Sequence, residues 1–422
     1  MERLLSSQME EFCNSIFSPF LSAFRKGYSC HTALIRLCED WKAALDKKQY
    51  VGTILMDLSK AFDCLPHGLL LAKLRAYGLH DSAVLLLKDY LSNRQQRVKI
   101  GHYYSTWEEI LKGVPMVPQG SVLGPILFNI FINDIFLMFP DLHIYNYADD
   151  NQNCEYNEDL EVVKQNLASN CVDFQHWFDE NGMKANPDKY HACLISPGLT
   201  GEKTTFNVCD VNIESEDSVN LLGVDFDSTL SFNEHISNCC KKAAGQFNAL
   251  RRLAKYLDFN SRLTIYKSFC MCNFNYCPMV WAFCGSGNLD KLEQLQRRAL
   301  QFVAGTKASY DQLLAMTKLD TLEVGRTRVL ATEVYKALNG LSPPYIADLF
   351  EVKESSYCLR GEKPLKLPDF NYIRLGKNCF KYKGAWLWNH LPNHIRKCEN
   401  FNTFKRLIRQ WNGPNCQCSQ CK

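Results

Sequence analysis

The sequence predicts an α+β fold, in which a split β-α-β-β-α-β antiparallel sheet carries helices on one face and is followed by a helical region. Three observations lead to this fold class. An apolar strand at about 50–57 precedes two stretches whose apolar residues recur at every third and fourth position. A strand-turn-strand pattern surrounds Asp149, and the second half of the chain is a series of amphipathic helical stretches.

The predicted elements of the sheet follow one another in the order that this fold requires. They are a strand at 50–57, helices at 68–79 and 82–93, strand-like pieces at 96–100 and 103–107, an apolar helix at 122–139, a hairpin around Asp149, a helix at 159–181 and a strand at 191–196. Asn129, Asn133 and Asp134 interrupt the apolar helix, which argues against a membrane span of about 20 mostly apolar residues. The central strands of such a sheet are expected to bring Asp57 beside the hairpin turn.

The second half of the chain has helical periodicity over 236–257, 262–277 and 289–305, with Asn288 or the run 285–287 as the entry to the third helix. Beyond about 311 the periodicity is less regular, and aromatic residues are mixed with lysines and arginines. These aromatics fit either core packing or stacking against a single nucleic-acid strand; they are Tyr372, Phe380, Tyr382, Trp386, Trp388 and Trp411.

Composition excludes several classes of protein. The chain has 422 residues, of which 46% are hydrophobic and 22% charged, so it can bury a large core and is expected to form two or three domains. The start, MERLLSSQMEEF, lacks a sustained apolar stretch and a cleavage site, so no signal peptide is expected. The 20 cysteines are therefore interpreted as reduced intracellular thiols and not as a secreted disulfide scaffold.

The net charge of +3 hides a strong asymmetry along the chain. Residues 1–236 contain 19 Lys and Arg against 32 Asp and Glu, whereas residues 237–422 contain 29 against 13. A basic region attracts a phosphate backbone and releases its counterions, which gives salt-sensitive and sequence-independent affinity. The second half is therefore predicted to hold nucleic acid, with a basic domain that binds no ligand as the alternative.

Three carboxylates are candidates for a metal site. Asp149 and Asp150 lie in the tetrapeptide YADD of the predicted hairpin, and Asp57 ends the neighbouring apolar strand. Convergent carboxylates can hold the two Mg²⁺ ions, about 3.5–4 Å apart, that in-line nucleotidyl transfer requires. The alternative is structural, because Asp pairs are common in surface turns and an Asp can cap the segment after a strand.

The order of five motifs resembles the reverse transcriptase of non-LTR, LINE-type retrotransposons, especially the jockey-like group. The motifs are ILMDLSKAFDCLPH at 54–67, LKGVPMVPQGSVLGPILF at 111–128, YADD at 147–150, NGMKANPDK at 181–189 and LLGVDFDSTLSF at 221–232. The pattern WNHLP at 388–392 is similar to one in the tails of these elements. The resemblance covers most of the chain and implies an N-terminally shortened RNA-directed DNA polymerase of right-hand architecture.

The resemblance also assigns roles to individual residues. Asp57, Asp149 and Asp150 match the catalytic triad that holds two Mg²⁺ ions, with Mn²⁺ as a possible substitute. Lys189 matches a lysine near the triphosphate that neutralises charge or donates a proton to pyrophosphate. The remaining matches belong to the nucleotide pocket: Phe62, whose ring excludes a 2′-hydroxyl, the turn of Gln119, Gly120 and Ser121, and Arg25 in a remnant of the fingers.

The same resemblance implies domains and partners. Residues 1–227 match the reverse transcriptase domain, with partial fingers at 1–48 and the palm at 49–227. A helical thumb at 228–310 and a basic, aromatic-rich region at 311–422 follow. The expected partners are an RNA template, a DNA primer or target DNA, and dNTPs, without a membrane. The expected compartment is the nucleus, the cytoplasm or both.

Two departures from the family pattern keep alternatives open. GVPMVPQG at 113–120 replaces a compact GVPQG, and the resemblance implies further fingers strands upstream of the first residue, so a catalytically inactive nucleic-acid-binding remnant is the second hypothesis. A group II intron maturase is a third, from which the C-terminal aromatics and LLGVDFDSTLSF point away. Cys416, Cys418 and Cys421, with Cys398 or His394, pose a zinc hypothesis, against which stands an unliganded reduced tail.

Overall fold

The computed structural model describes residues 2–56, 58, 65–109, 120–198, 201, 203–353 and 364–414. Along these ranges the helices, in chain order, are α1 (Glu2–Ile16), α2 (Cys30–Asp46), α3 (His67–Ala76), α4 (Asp81–Leu91), α5 (Gly124–Ile132), α6 (Ile135–Met138), α7 (Leu160–Glu180), α8 (Asn233–Leu253), α9 (Phe259–Ile265), α10 (Cys272–Asn275), α11 (Pro278–Trp281), α12 (Ser286–Ala304), α13 (Tyr310–Thr317), α14 (Leu322–Leu338), α15 (Pro344–Ala347), α16 (Phe380–Asn389), α17 (Asn393–Arg396) and α18 (Phe401–Gln410).

The strands of the same ranges form one larger sheet and several hairpins. They are β1 (Tyr50–Met56), β2 (Gln95–Gln96), β3 (Lys99–Ile100), β4 (Tyr103–Tyr104), β5 (Glu108–Glu109), β6 (His143–Tyr147), β7 (Asp150–Asn157), β8 (His191–Ile195), β9 (Thr205–Val208), β10 (Val211–Glu214), β11 (Ser218–Leu221) and β12 (Val224–Asp227). The larger sheet has the order β6-β7-β1-β8, with β1 and β7 central as the split arrangement requires. The predicted fold class is confirmed.

The chain divides into two compact units whose segments alternate along the sequence. Unit 1 contains residues 1–29, 50–194 and 203–216, and unit 2 contains 30–49, 195–202 and 217–422. These limits differ from the predicted domains at 30–49, 195–202 and 217–227. Segment 30–49 clusters with the later helices because α2 packs on α11, α15 and α16. The functional division into fingers, palm and thumb stays a prediction.

The apolar core of unit 1 includes the face of the sheet that α7 covers. β1 pairs antiparallel with β7, and Ile54 faces Asn153 in the register. Gly52, Ile54 and Met56 alternate onto one face, where a Cβ on Gly52 would lie 2.6 Å from both Leu167 Cδ1 and Val163 Cγ1 of α7. The glycine therefore permits a close approach of helix and strand, and its neighbours join the apolar core of the unit.

The predicted apolar helix at 122–139 is two helices, α5 and α6, that meet at Asn133 and Asp134. The Asn133 amide donates to Ile16 O and Tyr77 Oη and its oxygen accepts from Ser18 N–H. Asp134 accepts a 2.9 Å hydrogen bond from the buried Lys73 ammonium. These tertiary partners hold both polar residues in a turn, which the apolar composition of the segment does not reveal.

The strand-like pieces predicted at 96–100 and 103–107 are reduced to two-residue strands. β3 and β4 form a short hairpin, and β2 pairs with β5. Their side chains are exposed, so no packing against a core extends the pairing. The two preceding helices, α3 and α4, confirm the prediction for 68–79 and 82–93.

Unit 2 starts its long C-terminal segment with the predicted hairpin of LLGVDFDSTLSF. β11 and β12 pair antiparallel around Leu222 and Gly223, which both have positive φ (46° and 81°), as a two-residue type I′ hairpin turn requires. Tyr276 Oη donates to Leu222 O at 2.7 Å. The hairpin is therefore fixed against the helical part of its own unit.

Three predicted helices of the second half are present, one of them in a different form. α8 and α12 match 236–257 and 289–305, and α12 begins after the N-cap Gly285. The stretch 262–277 is instead α9, a π-helical turn at Tyr266–Cys270, and α10. Buried Tyr266 donates to Gln296 Oε1 of α12, which gives the irregular turn a tertiary contact that the periodicity does not contain.

Core packing accounts for three of the six C-terminal aromatics named above. Phe380, Trp388 and Trp411 are buried, whereas Tyr372 and Trp386 remain exposed. Trp388, within the WNHLP pattern, packs with Tyr335 and Phe404. In the described part of the chain the cysteines are free thiols, and Cys416, Cys418 and Cys421 lie outside it. No described helix combines the length and apolar character needed to cross a bilayer.

Candidate active site

The predicted aspartate hairpin is present and its turn is tight. β6 and β7 pair up to Tyr147 and Asp150, so Ala148 and Asp149 alone form the loop. Ala148 has a φ of 57°, a left-handed conformation that costs a non-glycine residue roughly 1–3 kcal/mol. Such strain persists only where the surroundings enforce it, so the turn is held in a defined shape.

Two buried asparagines under the turn supply that enforcement. Asn146 Nδ2 donates to Ala148 O at 2.8 Å and to Asn151 Oδ1 at 2.9 Å. Asn151 Nδ2 in turn donates to Asp149 O at 3.1 Å. The amides therefore bind the backbone of both loop residues, while the side chains of Asp149 and Asp150 are exposed.

The register assigns the second aspartate to one face of the sheet. Asn151 and Asn153 lie on the side of α7, since Asn153 Nδ2 contacts Cys171 Sγ of that helix. Asp150 alternates with Asn151 and so lies on the opposite face, together with Gln152 and Cys154. A carboxylate on this face is separated from the apolar core and is accessible to a charged ligand.

The third predicted carboxylate, Asp57, lies outside the described residues, as do Phe62 and Gln119. The residues on both sides of position 57 are described. Met56 is the register partner of Asn151, and Leu58 forms an antiparallel bridge with Ala185. The chain thus passes directly beside the aspartate hairpin immediately before position 57.

The described part of the predicted nucleotide turn serves as a helix start. Gly120 has a φ of 83°, which suits glycine, and Ser121 Oγ accepts the N–H of Gly124 at 3.0 Å at the beginning of α5. Glu2 accepts the N–H of Val122 at 2.9 Å, and this hydrogen bond is the main cause that lowers the Glu2 pKa. A carboxylate of α1 is therefore bound directly beside the turn.

Arg25 and Lys189 have local structural environments. The Arg25 guanidinium donates through Nη1 to Ser18 O and Leu21 O and stacks over Tyr28, 4.3 Å from its ring centroid. Lys189 ends a 3₁₀ turn, Pro187–Lys189, and its side chain is exposed. The turn ends directly before β8, beside which β1 lies in the sheet. Roles for Arg25 and Lys189 at a nucleotide stay predictions.

The donor set of the hairpin suits a hard cation. Asp149 and Asp150 offer carboxylate oxygens on adjacent residues, which are the ligands that Mg²⁺ takes together with substrate phosphates and water. Within the ranges that the structure describes, no group of three His, Cys, Asp or Glu could hold a metal ion. A two-metal centre at this hairpin therefore depends on a carboxylate from outside those ranges.

Comparison with known proteins decides the family. A family model described as "Reverse transcriptase (RNA-dependent DNA polymerase)" matches residues 1–226. The chain belongs to the reverse transcriptase family. The matched region contains both paired aspartates, position 57 and the Gly120–Ser121 turn, so the candidate site of this reverse transcriptase chain is the one that its family model covers.

The relatives confirm the predicted resemblance to LINE-type elements. The probable RNA-directed DNA polymerase from transposon BS of Drosophila melanogaster is 24% identical over 328 residues, with 72% of this chain and 34% of that protein covered. The RNA-directed DNA polymerase from mobile element jockey of the same species is 26% identical over 318 residues, with the same coverages of 72% and 34%. This reverse transcriptase chain thus spans about a third of the length of these relatives.

Solved structures add a distant likeness. Apo telomerase from Candida Tropicalis has a TM-score of 0.41 and 11% identity, with 82% of this chain and 55% of that chain covered. A TM-score this low carries no weight in the assignment, which depends on the family match.

Sequence reasoning missed the residues that shape the turn of this reverse transcriptase chain. Asn146 and Asn151 flank the aspartates in the string NYADDN, and buried side-chain amides often bind nearby backbone groups. A signal was therefore present in the sequence. No such signal in the sequence pointed to Glu2, because its contact with Val122 joins residues 120 positions apart.

Proposed function

We propose that this chain is the polymerase region of a LINE-type element protein and transfers nucleotides from dNTPs onto a primer 3′-hydroxyl, copying RNA. The observation that carries the proposal is the strained hairpin turn, which two buried asparagines hold with Asp149 and Asp150 exposed at its tip. A two-residue hairpin turn needs a positive φ whatever its function, but it does not need two adjacent solvent-facing carboxylates, whereas a metal site needs both charges in a fixed geometry.

Asp57 is proposed as the third ligand. If the alternation of β1 extends by one residue, position 57 shares the sheet face of Asp150, since Met56 and Asn151 share the other. The three carboxylates would hold two Mg²⁺ ions, or Mn²⁺, which supply charge neutralisation for the attacking oxygen and the leaving pyrophosphate. The protein's own contribution is the preorganised position of these oxygens.

Further roles follow from the family pattern and are proposals. Phe62 would exclude a 2′-hydroxyl, Gln119, Gly120 and Ser121 would line the nucleotide, and Lys189 would neutralise charge at the triphosphate. RNA template, primer or target DNA, and dNTPs are the proposed partners, and the proposed place of action is inside the cell, in the nucleus or cytoplasm.

Primer extension tests the proposal. Asp149→Asn should reduce dNTP incorporation on a primed RNA template by at least about 100-fold, because it removes one charge from the metal ligands, while affinity for the primed template stays within about twofold. The matched control is Asp141→Asn, which changes an exposed aspartate two residues before β6 and should leave incorporation unchanged. Equal incorporation by Asp149→Asn and the parent chain would contradict the assignment.

The second candidate, a catalytically inactive nucleic-acid-binding remnant, rests on the sequence GVPMVPQG beside the proposed pocket. It predicts that the parent chain binds a primed template in a salt-dependent way and does not extend it with Mg²⁺ or Mn²⁺. Extension by the parent chain eliminates this candidate.

A further inference from the structure

Unit 2 contains a cavity of about 490 Å³ whose charged lining is wholly cationic. Its charged residues are Lys42, Lys291 and Arg374, and the rest of its lining is apolar or neutral. All of the lining residues belong to unit 2. We propose that this cavity binds a backbone phosphate of a nucleic-acid strand. The inference deepens the proposed function, since it names a contact of the strand that the enzyme copies or extends.

Neutral oxygens hold each of the three cations in place. Lys42 is only 6% exposed, and its Nζ donates to Asn378 O at 3.0 Å. Lys291 Nζ donates to Asn288 Oδ1 at 3.2 Å, and Arg374 Nη2 donates to Thr229 O at 2.8 Å. These acceptors fix position without cancelling charge. The Glu39 carboxylate offsets part of the charge of Lys42, and Lys291 and Arg374 keep the lining positive.

Carboxylates close in sequence to the lining are bound to backbone N–H groups. Glu39 accepts from Phe380 N and Lys381 N at 2.7 and 2.9 Å. Asp227 accepts from the backbone N–H groups of Thr229, Ser231 and Phe232. Neither carboxylate lines the cavity. Among the ion pairs of the described ranges, none includes Lys42, Lys291 or Arg374.

Two helix N-termini reinforce the positive potential of the cavity. α8 begins at Asn233, and α12 begins after Gly285, whose capping position has no side-chain hydrogen bond. Asn233, Gly285 and Gly287 all line the cavity. The first N–H groups of a helix and its dipole favour an anion, and the 19-residue length of α12 gives it a full dipole. The cationic side chains and the helix N–H groups therefore both favour an anion inside the cavity.

The positions of the cations suit a phosphodiester that belongs to a longer strand. Lys291 and Arg374 are exposed, whereas Lys42 is buried, so the lining offers cations both in the interior and at the solvent boundary. Arg374 lies in a π-helical turn, Ile373–Lys377, a local distortion that often accompanies functional positions. The surrounding region 237–422 has 29 Lys and Arg against 13 Asp and Glu, which attracts a polyanionic strand.

A charge-matched comparison tests the inference in the full chain. Lys291→Gln/Arg374→Gln removes two cations from the cavity, and Arg297→Gln/Arg298→Gln removes two exposed cations of α12 that do not line it. Both pairs are made in the Asp149→Asn background, where binding is measured apart from chemistry. Fluorescence anisotropy with single-stranded RNA should give roughly a tenfold loss of affinity for the cavity pair and less than about threefold for the control pair. The slope of log affinity against log salt should fall by about 0.7 for each lost phosphate contact.

Chemical substitution of the strand identifies the contact. One methylphosphonate linkage, which carries no charge, is moved along the RNA. At one position of the RNA, the neutral linkage should weaken binding to the control variant, which keeps the cavity cations, about fivefold or more. Binding to the cavity variant, which lacks two of those cations, should not change at that position. Inorganic tripolyphosphate should compete with RNA for the control pair and not for the cavity pair. Circular dichroism should show the same melting for both pairs, and Lys291→Arg/Arg374→Lys should restore affinity.

Two results would overturn the inference. Equal affinity losses in the two pairs, with no position-specific methylphosphonate effect, would show that only general charge matters. Loss of tripolyphosphate binding with unchanged RNA affinity would assign the cavity to a free polyphosphate. Neither result bears on polymerisation, since extension by the chain with Asp149 intact is measured separately.

Discussion

At the residue scale, buried side-chain amides hold the backbone of the candidate site. Asn146 and Asn151 are buried, and together they bind the backbone of Ala148 and Asp149. These hydrogen bonds oppose the strain at Ala148, whose φ is 57°. The asparagines beneath the turn therefore fix the backbone that carries the proposed metal ligands.

Asn146→Ala tests this dependence. It should lower the free energy of unfolding by about 1–3 kcal/mol, because buried acceptors at Ala148 and Asn151 lose their donor. Incorporation of dNTPs should fall by up to about 100-fold, since a shift of about 1 Å at a reacting group costs that much. Urea unfolding and primer extension measure the two effects.

The control for Asn146→Ala is Asn207→Ala, which removes an exposed amide contact to Asn212 on the β9–β10 hairpin. It should change stability by less than about 0.5 kcal/mol and leave incorporation intact. Normal incorporation by Asn146→Ala would show that the amides do not position the aspartates.

At the scale of elements, the sheet of unit 1 depends on how closely α7 approaches β1. A Cβ on Gly52 would meet Leu167 and Val163 at 2.6 Å, a separation that real Cβ contacts do not reach. β1 leads directly to position 57, so displacement of α7 or β1 would also disturb the pairing of Met56 with Asn151.

Gly52→Ala is expected to lower the free energy of unfolding by about 1–3 kcal/mol through overpacking. The matched control is Gly245→Ala in the exposed middle of α8, where a Cβ meets nothing within 4 Å. That control should raise stability by about 0.5–1 kcal/mol, since alanine favours helix over glycine. Chemical denaturation measures both changes, and a neutral Gly52→Ala would show that the interface relaxes freely.

At the scale of the whole molecule, unit 2 uses two histidines as hydrogen-bond acceptors, the half-buried His31 and the buried His235. His31 Nε2 accepts the N–H of Met279, and His235 Nδ1 accepts the N–H of Asp225. Burial lowers the pKa of both groups, and for His235 it outweighs the opposing attraction of Asp225. Each protonation would remove an acceptor that the fold uses.

Stability should therefore fall on mild acidification. Below the unfolded histidine pKa of about 6.5 the unfolded chain binds protons that the folded chain does not, so each histidine contributes a loss of up to about 1.4 kcal/mol per pH unit. This stability is present above pH 6.5 and is lost as the pH falls towards 5.5. Urea unfolding, followed by tryptophan fluorescence at pH 7.5, 6.5 and 5.5, measures it.

The variant His31→Gln/His235→Gln should flatten the pH dependence between 7.5 and 5.5, whereas His102→Gln, at an exposed position, should retain it. Direct titration of the ring protons by NMR gives a readout that does not depend on stability. Ring pKa values above 6.5 for both His31 and His235 would refute the explanation.

Local patterns predicted much of this chain. The apolar strand β1, the helices α3, α4, α7, α8 and α12, and the hairpins around Asp149 and Gly223 follow from periodicity and turn chemistry, which act over a few neighbouring residues. The order of motifs was enough for the family, because each motif is contiguous and keeps its identity in any fold. The aspartate pair was found in the same way.

Only the tertiary structure decided what depends on residues distant in sequence. Asn133 and Asp134 divide the apolar helix because their partners come from α1, its following loop and α3. Segment 30–49 joins unit 2, and Lys42, Lys291 and Arg374 line one cavity although they are far apart along the chain. Periodicity reports which face of an element is apolar; it does not report which element covers that face, because the covering residues are chosen by packing of the whole chain.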